Sequence, residues 1–532
     1  MSLAHALPLR MPLSRPNALI DLVNRRSFQL GSLLLWALLM NREGVRVPNG
    51  NEFVYLLYFY KAWHPHFLSA DWTFQEATAG HAIFNWTTGW LTLLMPLEWA
   101  AWLGRFCVWT GAFVGLMRVG SHFKIPSWAV WMGIILWLVQ RQAPVTVEWI
   151  VGTFEAKCIA YIFLLFAMDA ALRSRNLLAG LLCGLAFTFH TAIGMWGGTA
   201  LGVAVLFHNP LRETIKFCIA AMLLALPGLI TSLPLVFGKH AITPAEAKFI
   251  VEVFEPSCLD PLIFPRLWLI LMPVLMVFAW GYFQWQRSDR SARMLFYFEL
   301  FTAVFFLFSV LARIADRFDL VQLYPLRVFS VFVLLLFYWQ MARICLSFFK
   351  PYAATNRRQA PVMLFWFGIV LLLVIPNPLT QLGSMLTTHL HRIQEISGNQ
   401  PSPGRSEDAS FRDAAKWVQQ NTPVDDIVMA PPWRSDAFYF TRRPLIAEWH
   451  APRYDAITQW RSRIEAMAGD VSINNDCPGD MGTQQRLHFT QLSQSQVLEI
   501  AGKYGAKWII THARYSLPQV YDAGEFVVYR IE

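Results

Sequence analysis

The residues of this chain best suited to chemistry are carboxylates, a lysine and an arginine placed where long apolar runs begin. The stretch VPNGNEFVYLLYFYKAWHP carries Glu52. A carboxylate there lies where a lipid-linked substrate presents its head group, and Glu52 can serve as a general base on an acceptor hydroxyl. A solvated loop carboxylate is the plainer alternative. The stretch VEWIVGTFEAKCIAY sets Glu148 and Glu155 just before an apolar run and Lys157 at its entry. Ionisable groups at a span mouth are costly against lipid, so they turn towards a cavity or a partner. Such a trio can hold a phosphate-bearing donor, directly or through a divalent ion. Oxygen ligands suit Mg²⁺ or Mn²⁺, which makes Glu148 and Glu155 the metal candidates. A surface pair of Glu155 with Lys157 is the alternative.

Two more positions belong to this set. His190, in GLAFTFHTAIGMWGG, falls at the outer end of a predicted span among glycines that permit close helix packing. A lone histidine is more often structural than site-lining. Arg327, in RIADRFDLVQLYPLRVFS, stands at the mouth of a span. Its planar fork suits phosphate or pyrophosphate, with snorkelling to the interface as the alternative. The polar stretch 64–89 holds three histidines, Asp71 and Glu76; His81 joins Glu155, Lys157, His190 and Arg327 as substrate-binding candidates.

These residues need a membrane to make sense. With 55% hydrophobic and 15% charged residues over 532 positions, the chain is too apolar for a soluble protein and reads as polytopic. The net charge of +9 is spread in short clusters between apolar runs, so orientation in a bilayer explains it and nucleic acid does not. The seven cysteines form no CxxC and no Cys/His ladder, which excludes a zinc ribbon or a disulfide framework. Apolar runs predict about eleven spans, near 27–41, 98–118, 125–140, 157–173, 177–190, 192–207, 214–236, 264–285, 293–313, 328–348 and 361–380. The first reads as an uncleaved signal anchor.

Lysines and arginines crowd alternate loops (Arg25/Arg26, Arg118/Lys124, Arg173/Arg175, Arg212/Lys216, Arg287/Arg290/Arg293, Lys350/Arg357/Arg358), which marks the cytoplasmic side. The parity requires residues 81–96 to lie flat at the outer interface. The opposite loops, 42–97, 141–156, 237–263 and 314–327, carry the acidic residues.

The sequence thus divides into a membrane domain over 1–382, a polar linker over 383–404 and a periplasmic α/β domain over 405–532. In the last, FRDAAKWVQQNTP predicts a helix, DDIVMAPP a strand, and VLEIAGKYGAKWIITHA a helix, Gly turn and strand. Arg434, Arg442, Arg443 and Arg453, set among aromatics, suit a binding or lid element.

The layout resembles the GT-C superfamily of membrane glycosyltransferases, which use polyprenyl-phosphate-linked sugars on the outer face of the membrane. NGNEFVY stands where that family has Asp-Glu-x-x-Tyr, and GTFEAK where it has a second acidic motif. The tail also looks like that of an uncharacterised group of bacterial polytopic proteins. The resemblance implies an inverting transferase of the bacterial inner membrane, moving sugar from a polyprenyl-phosphate donor to a glycan, lipid or protein. One departure stands out: Asn51 sits where several relatives carry the catalytic aspartate. Either Glu52 or Asp71 has taken the catalytic role, or the chain is an inactive scaffold of a polysaccharide-assembly complex. A transporter or flippase of a lipid-linked glycan is the rival, and would place ionisable residues near span centres.

Overall fold

The structure is a computed structural model that describes residues 22–40, 47–74, 81–143, 146–237, 242–263, 266–348, 405–472 and 479–531. The predicted span 361–380, the linker 383–404 and Glu76 lie outside the described residues. Each of the other predicted spans falls on a helix: Arg26–Met40, Leu97–Ser121, Ser127–Val139, Ala156–Leu172, Asn176–Phe189, Thr191–Leu206, Leu211–Phe237, Arg266–Trp285, Arg290–Ile314 and Arg327–Phe348. Among the described residues, Leu97–Ser121, Leu211–Leu233, Arg290–Ile314 and Arg327–Ser347 are long and apolar enough to cross a membrane, while Ser127–Val139, Asn176–Phe189 and Thr191–Leu206 are apolar but shorter. The chain is a multi-pass membrane protein.

Apolar side chains on Leu211–Phe237 point outward along its length, from Ile219 and Met222 to Ile230. Its other side lies so close to Asn176–Phe189 that a Cβ on Gly180 would come within 2.2 Å of the Phe217 carbonyl oxygen. The next helix folds back just as tightly, since a Cβ on Gly194 would sit 2.1 Å from the Phe187 backbone. Only glycine allows these approaches, and they hold His190 at the tip between two helices. Residues 81–96 form a short helix, Ala82–Gly89, and a 3₁₀ turn, Trp90–Leu93. Eight helical residues reach about 12 Å, too little to cross a bilayer.

The C-terminal part carries the helices Arg405–Asn421, Ile457–Ala468, Thr483–Thr490 and Gln494–Tyr504 around a four-stranded sheet. Its strands are β1 (Ile427–Met429), β2 (Ala506–Thr511), β3 (Gln519–Asp522) and β4 (Val527–Arg530), in the order β1-β2-β4-β3. β1 and β2 pair in parallel, with Val428 opposite Trp508; β4 is antiparallel to both of its neighbours.

This part is bolted to residues 53–74. Phe74 packs edge-on to Phe438, and Phe53 packs on Tyr439 and Phe440. Trp72 donates to the Ile446 carbonyl at 3.1 Å and stacks with Arg463 and Arg453, whose carbon centres lie 4.1 and 5.2 Å from its ring centroid. Arg453 also donates to the Trp72 carbonyl at 2.6 Å, so this tail arginine acts in docking.

Candidate functional site

Residues 146–155 carry Glu148 and Glu155 in irregular backbone, and the protein fixes that backbone from three sides. The Gln142 amide accepts from Ile150 and Val151 N–H at 2.8 and 2.9 Å and donates to the Val151 carbonyl at 2.7 Å. Trp109 donates to the Gly152 carbonyl at 2.9 Å. Phe154 N–H donates to Glu52 at 2.7 Å. Such pinning holds two carboxylates still without help from a regular element.

The loops before the helices Ala156–Leu172 and Arg327–Phe348 then meet in one buried cluster. The Lys157 ammonium lies 3.4 Å from Glu155 Oε2 and 4.0 Å from Glu148 Oε1, and 3.5 Å above the Trp149 ring. Thr153 donates to the other Glu155 oxygen. Arg327 Nε is 3.2 Å from Glu148 Oε2, and its guanidinium covers Tyr324 at 3.8 Å. Arg327 Nη1 approaches His190 Nε2 at 3.5 Å. The His190 ring lies 5.3 Å from that of His81, which meets Tyr55 edge-on. Burial pushes the His81 imidazole down to about 4, so it is neutral at physiological pH. The structure therefore brings together Glu148, Glu155, Lys157, His190, Arg327 and His81.

Lys157, His190 and Arg327 stand at the N-terminal ends of the helices Ala156–Leu172, Thr191–Leu206 and Arg327–Phe348. A helix N-terminus carries about half a positive charge, so a lysine and an arginine there work against the dipole. Glu155 and Glu148 stand against these two cations. His190 Nδ1 lies 3.5 Å from Ile193 N–H and Nε2 lies 3.5 Å from Arg327 Nη1, so the ring faces a helix end on one side and a guanidinium on the other. The Arg327 guanidinium offers donors that an anion's oxygen can take up there. Two buried polar atoms nearby, Glu148 Oε1 and His81 Nδ1, have no hydrogen-bond partner. Orphaned atoms of this kind ask for a ligand or water.

Glu52 and Asp71 lie elsewhere and are built differently. Glu52 is fully buried and takes a two-pronged bond from Arg105 of Leu97–Ser121, Nε to Oε1 at 2.7 Å and Nη2 to Oε2 at 2.5 Å. Phe154 and Asn49 N–H groups occupy the remaining lone pairs. Asp71, also fully buried, accepts from Thr73 and Phe74 N–H on one oxygen and from Leu445 N–H at 2.9 Å on the other. The oxygens of both carboxylates thus accept from protein donors. Asn51, beside Glu52, is exposed.

Sequence reasoning did not single out Glu255, Tyr324, Tyr454 and Tyr55. Glu255 accepts from Tyr324 on one oxygen and from Tyr454 at 2.7 Å on the other, tying the cluster's edge to the C-terminal part. The signal was faint: Glu255 was one outer-loop acid among many, and the tyrosines had no charge to mark them. As for a divalent ion, Glu148 and Glu155 do come together, but the cation between them is Lys157. No group of three or more His, Cys, Asp or Glu among the described residues gathers to hold a metal. The donor set does not fit Mg²⁺ or Mn²⁺ as it stands.

No family model matches the chain, and no curated protein matches it. Among solved structures, it is similar to the Archaeoglobus fulgidus oligosaccharyltransferase tethered through a disulfide bond to an acceptor peptide with the NVT sequon. The TM-score is 0.50 at 11% identity, over 91% of this chain and 69% of that one. A second structure of that enzyme, in complex with Zn and sulfate, aligns at 0.46 and 12% identity over 90% and 67%, too weakly to carry an argument. At this identity the likeness concerns fold alone, and the chain shares the fold of that oligosaccharyltransferase.

Proposed function

We propose that this chain is a glycosyltransferase of the bacterial inner membrane, moving a sugar from a polyprenyl-phosphate-linked donor to a glycan, lipid or protein on the periplasmic face. The observation that carries this reading is the convergence of three helix N-termini, Lys157 and Arg327 on one buried site with orphaned polar atoms. Charge grows on the departing phosphate as the glycosidic bond breaks, and fixed donors lower the barrier by meeting that charge. Arg327 donates to one phosphate oxygen beside His190, and Lys157 supplies a second positive charge. Glu148 Oε1, with the Lys157 ammonium at 4.0 Å, is the group that takes the acceptor's proton. A single displacement with one base inverts the anomeric carbon. Glu52 supports this chemistry from behind by holding Phe154, next to Glu155.

The test is binding of a polyprenyl phosphate and of the uncharged polyprenol to the full chain in nanodiscs. Wild type should prefer the phosphate, and Arg327→Ala should lose roughly 10–100-fold of that affinity, the worth of one charge-assisted hydrogen bond. Equal binding of both lipids would sink the reading. Transfer of labelled sugar from membrane extracts, lost in Glu148→Gln with donor binding intact, would identify the base.

One observation favours a lipid-linked glycan flippase as the second reading. Glu299, on Arg290–Ile314, is buried 2.9 Å from the Gln340 amide, an ionisable group well inside an apolar helix. Loss of glycan translocation in Glu299→Gln, with no sugar transfer by wild type, would replace the transferase.

A further inference from the structure

We infer that the Lys157 ammonium takes the place of a divalent ion, so that the site meets its anionic substrate with built-in cations and no metal. The geometry around Nζ is that of a bound cation: Glu155 Oε2 at 3.4 Å, Glu148 Oε1 at 4.0 Å and the Trp149 ring face at 3.5 Å. A π face attracts an ammonium but offers no lone pair to a hard divalent ion. The second Glu148 oxygen is turned to Arg327 Nε at 3.2 Å, so each of the two carboxylates already faces a side-chain cation.

Lys157 is also well anchored. It lies in the first turn of Ala156–Leu172 and is 6% exposed, and its neighbour Glu155 is fixed by Thr153. A divalent ion entering between Glu148 and Glu155 would sit within a few ångströms of an ammonium it could not displace into water, at the positive end of a helix. The same placement gives the lysine a task, since an ammonium held there can approach a phosphate oxygen as a point charge. That last step rests on the proposed transferase reading; the exclusion of metal does not.

The experiment reads metal binding without any substrate. Full-length protein in detergent is titrated with Mn²⁺, and the free ion is followed by electron paramagnetic resonance. Wild type should leave Mn²⁺ in solution. Lys157→Gln should gain one site and bind it roughly 10–100-fold more tightly than wild type, and Lys157→Arg, which keeps the charge, should gain none. A second change, Glu155→Gln in the Lys157→Gln background, should abolish the gained site. Uptake of one Mn²⁺ per chain by wild type, released by Glu155→Gln, would overturn the inference. Failure of Lys157→Gln to gain a site while it melts like wild type would overturn it too. Failure of the polyprenyl-phosphate test would end the transferase reading and leave these outcomes unchanged.

Discussion

Two buried ionic clusters among the described residues, around Glu52 and around Glu148, are finished to different degrees. Around Glu52, each oxygen is matched: two prongs of Arg105, then Phe154 and Asn49 N–H. Around Glu148, Arg327 and Lys157, contacts stretch to between 3.2 and 4.0 Å, and buried polar atoms remain without hydrogen-bond partners. A buried carboxylate with every lone pair filled is a strut, because nothing in it is left to react. Charges held loosely, at helix ends that oppose them, are tolerated where a ligand completes them. The difference teaches that a conspicuous acid in a conspicuous loop is no guide to reactivity; the state of its lone pairs is.

The comparison breaks most visibly at Glu52 and Arg105. Removing one partner leaves a buried charge alone, at a cost of roughly 3–5 kcal/mol. Glu52→Ala and Arg105→Ala should therefore each lower folded yield and melting temperature sharply. The double change Glu52→Leu/Arg105→Met, which removes both charges and keeps volume, should recover most of the loss. If Glu52→Ala instead melts like wild type, the strut reading is wrong and Glu52 returns as a candidate base.

Asp71 sharpens the contrast by pH. Burial, partly offset by the N–H groups of Leu445, Thr73 and Phe74, pushes its carboxyl up to about 6, from an ordinary aspartate value of 3.8. The folded chain then holds this proton more tightly than the unfolded one. Stability from this group is present in full below the unfolded value and is lost as pH rises through about 6. The total is about 3 kcal/mol for some two pKa units. Lys61, Glu448, Arg453, Asp455 and Arg463 also belong to this junction. Comparison with Asp71→Asn isolates the aspartate: between about pH 7 and 4, wild type should gain on the variant by that amount. The readout is resistance of the C-terminal part to proteolysis. A constant gap would mean that Asp71 is ionised throughout.

How legible this was follows from the range of each signal. A run of apolar residues is local, so the helices Leu97–Ser121 and Arg327–Phe348 start within a residue of where periodicity and length set them. Charges at span mouths are local as well, and Lys157, His190 and Arg327 were marked by position alone. What stayed hidden is pairing at a distance. Arg105 lies mid-helix, 53 positions from Glu52, and reads in sequence as one charge in an apolar run. Asp71 meets Leu445 across 374 positions, so the outer loop and the tail read as separate units although their side chains share one core. Glu255 and its two tyrosines carry the same lesson, since hydroxyls converging from two other segments leave no periodic trace.

The smallest effect is expected at Tyr454, where the unfinished cluster touches the C-terminal part. Its hydroxyl donates to Glu255 Oε1 at 2.7 Å, while Tyr324 holds the other oxygen, and Thr458 repeats the bridge nearby by donating to Glu246 at 2.6 Å. Glu255 and Tyr454 are both half-buried, so water can replace the lost donor. Tyr454→Phe should then cost about 1 kcal/mol or less in thermal unfolding. Because the hydroxyl reaches the cluster only through Glu255, polyprenyl-phosphate affinity should stay within about two-fold of wild type, against the far larger loss in Arg327→Ala. A Tyr454→Phe loss as large as that of Arg327→Ala would mean that the hydroxyl meets the ligand itself. The C-terminal part would then be a wall of the site, and the boundary between the finished and unfinished clusters would have to be redrawn around Glu255.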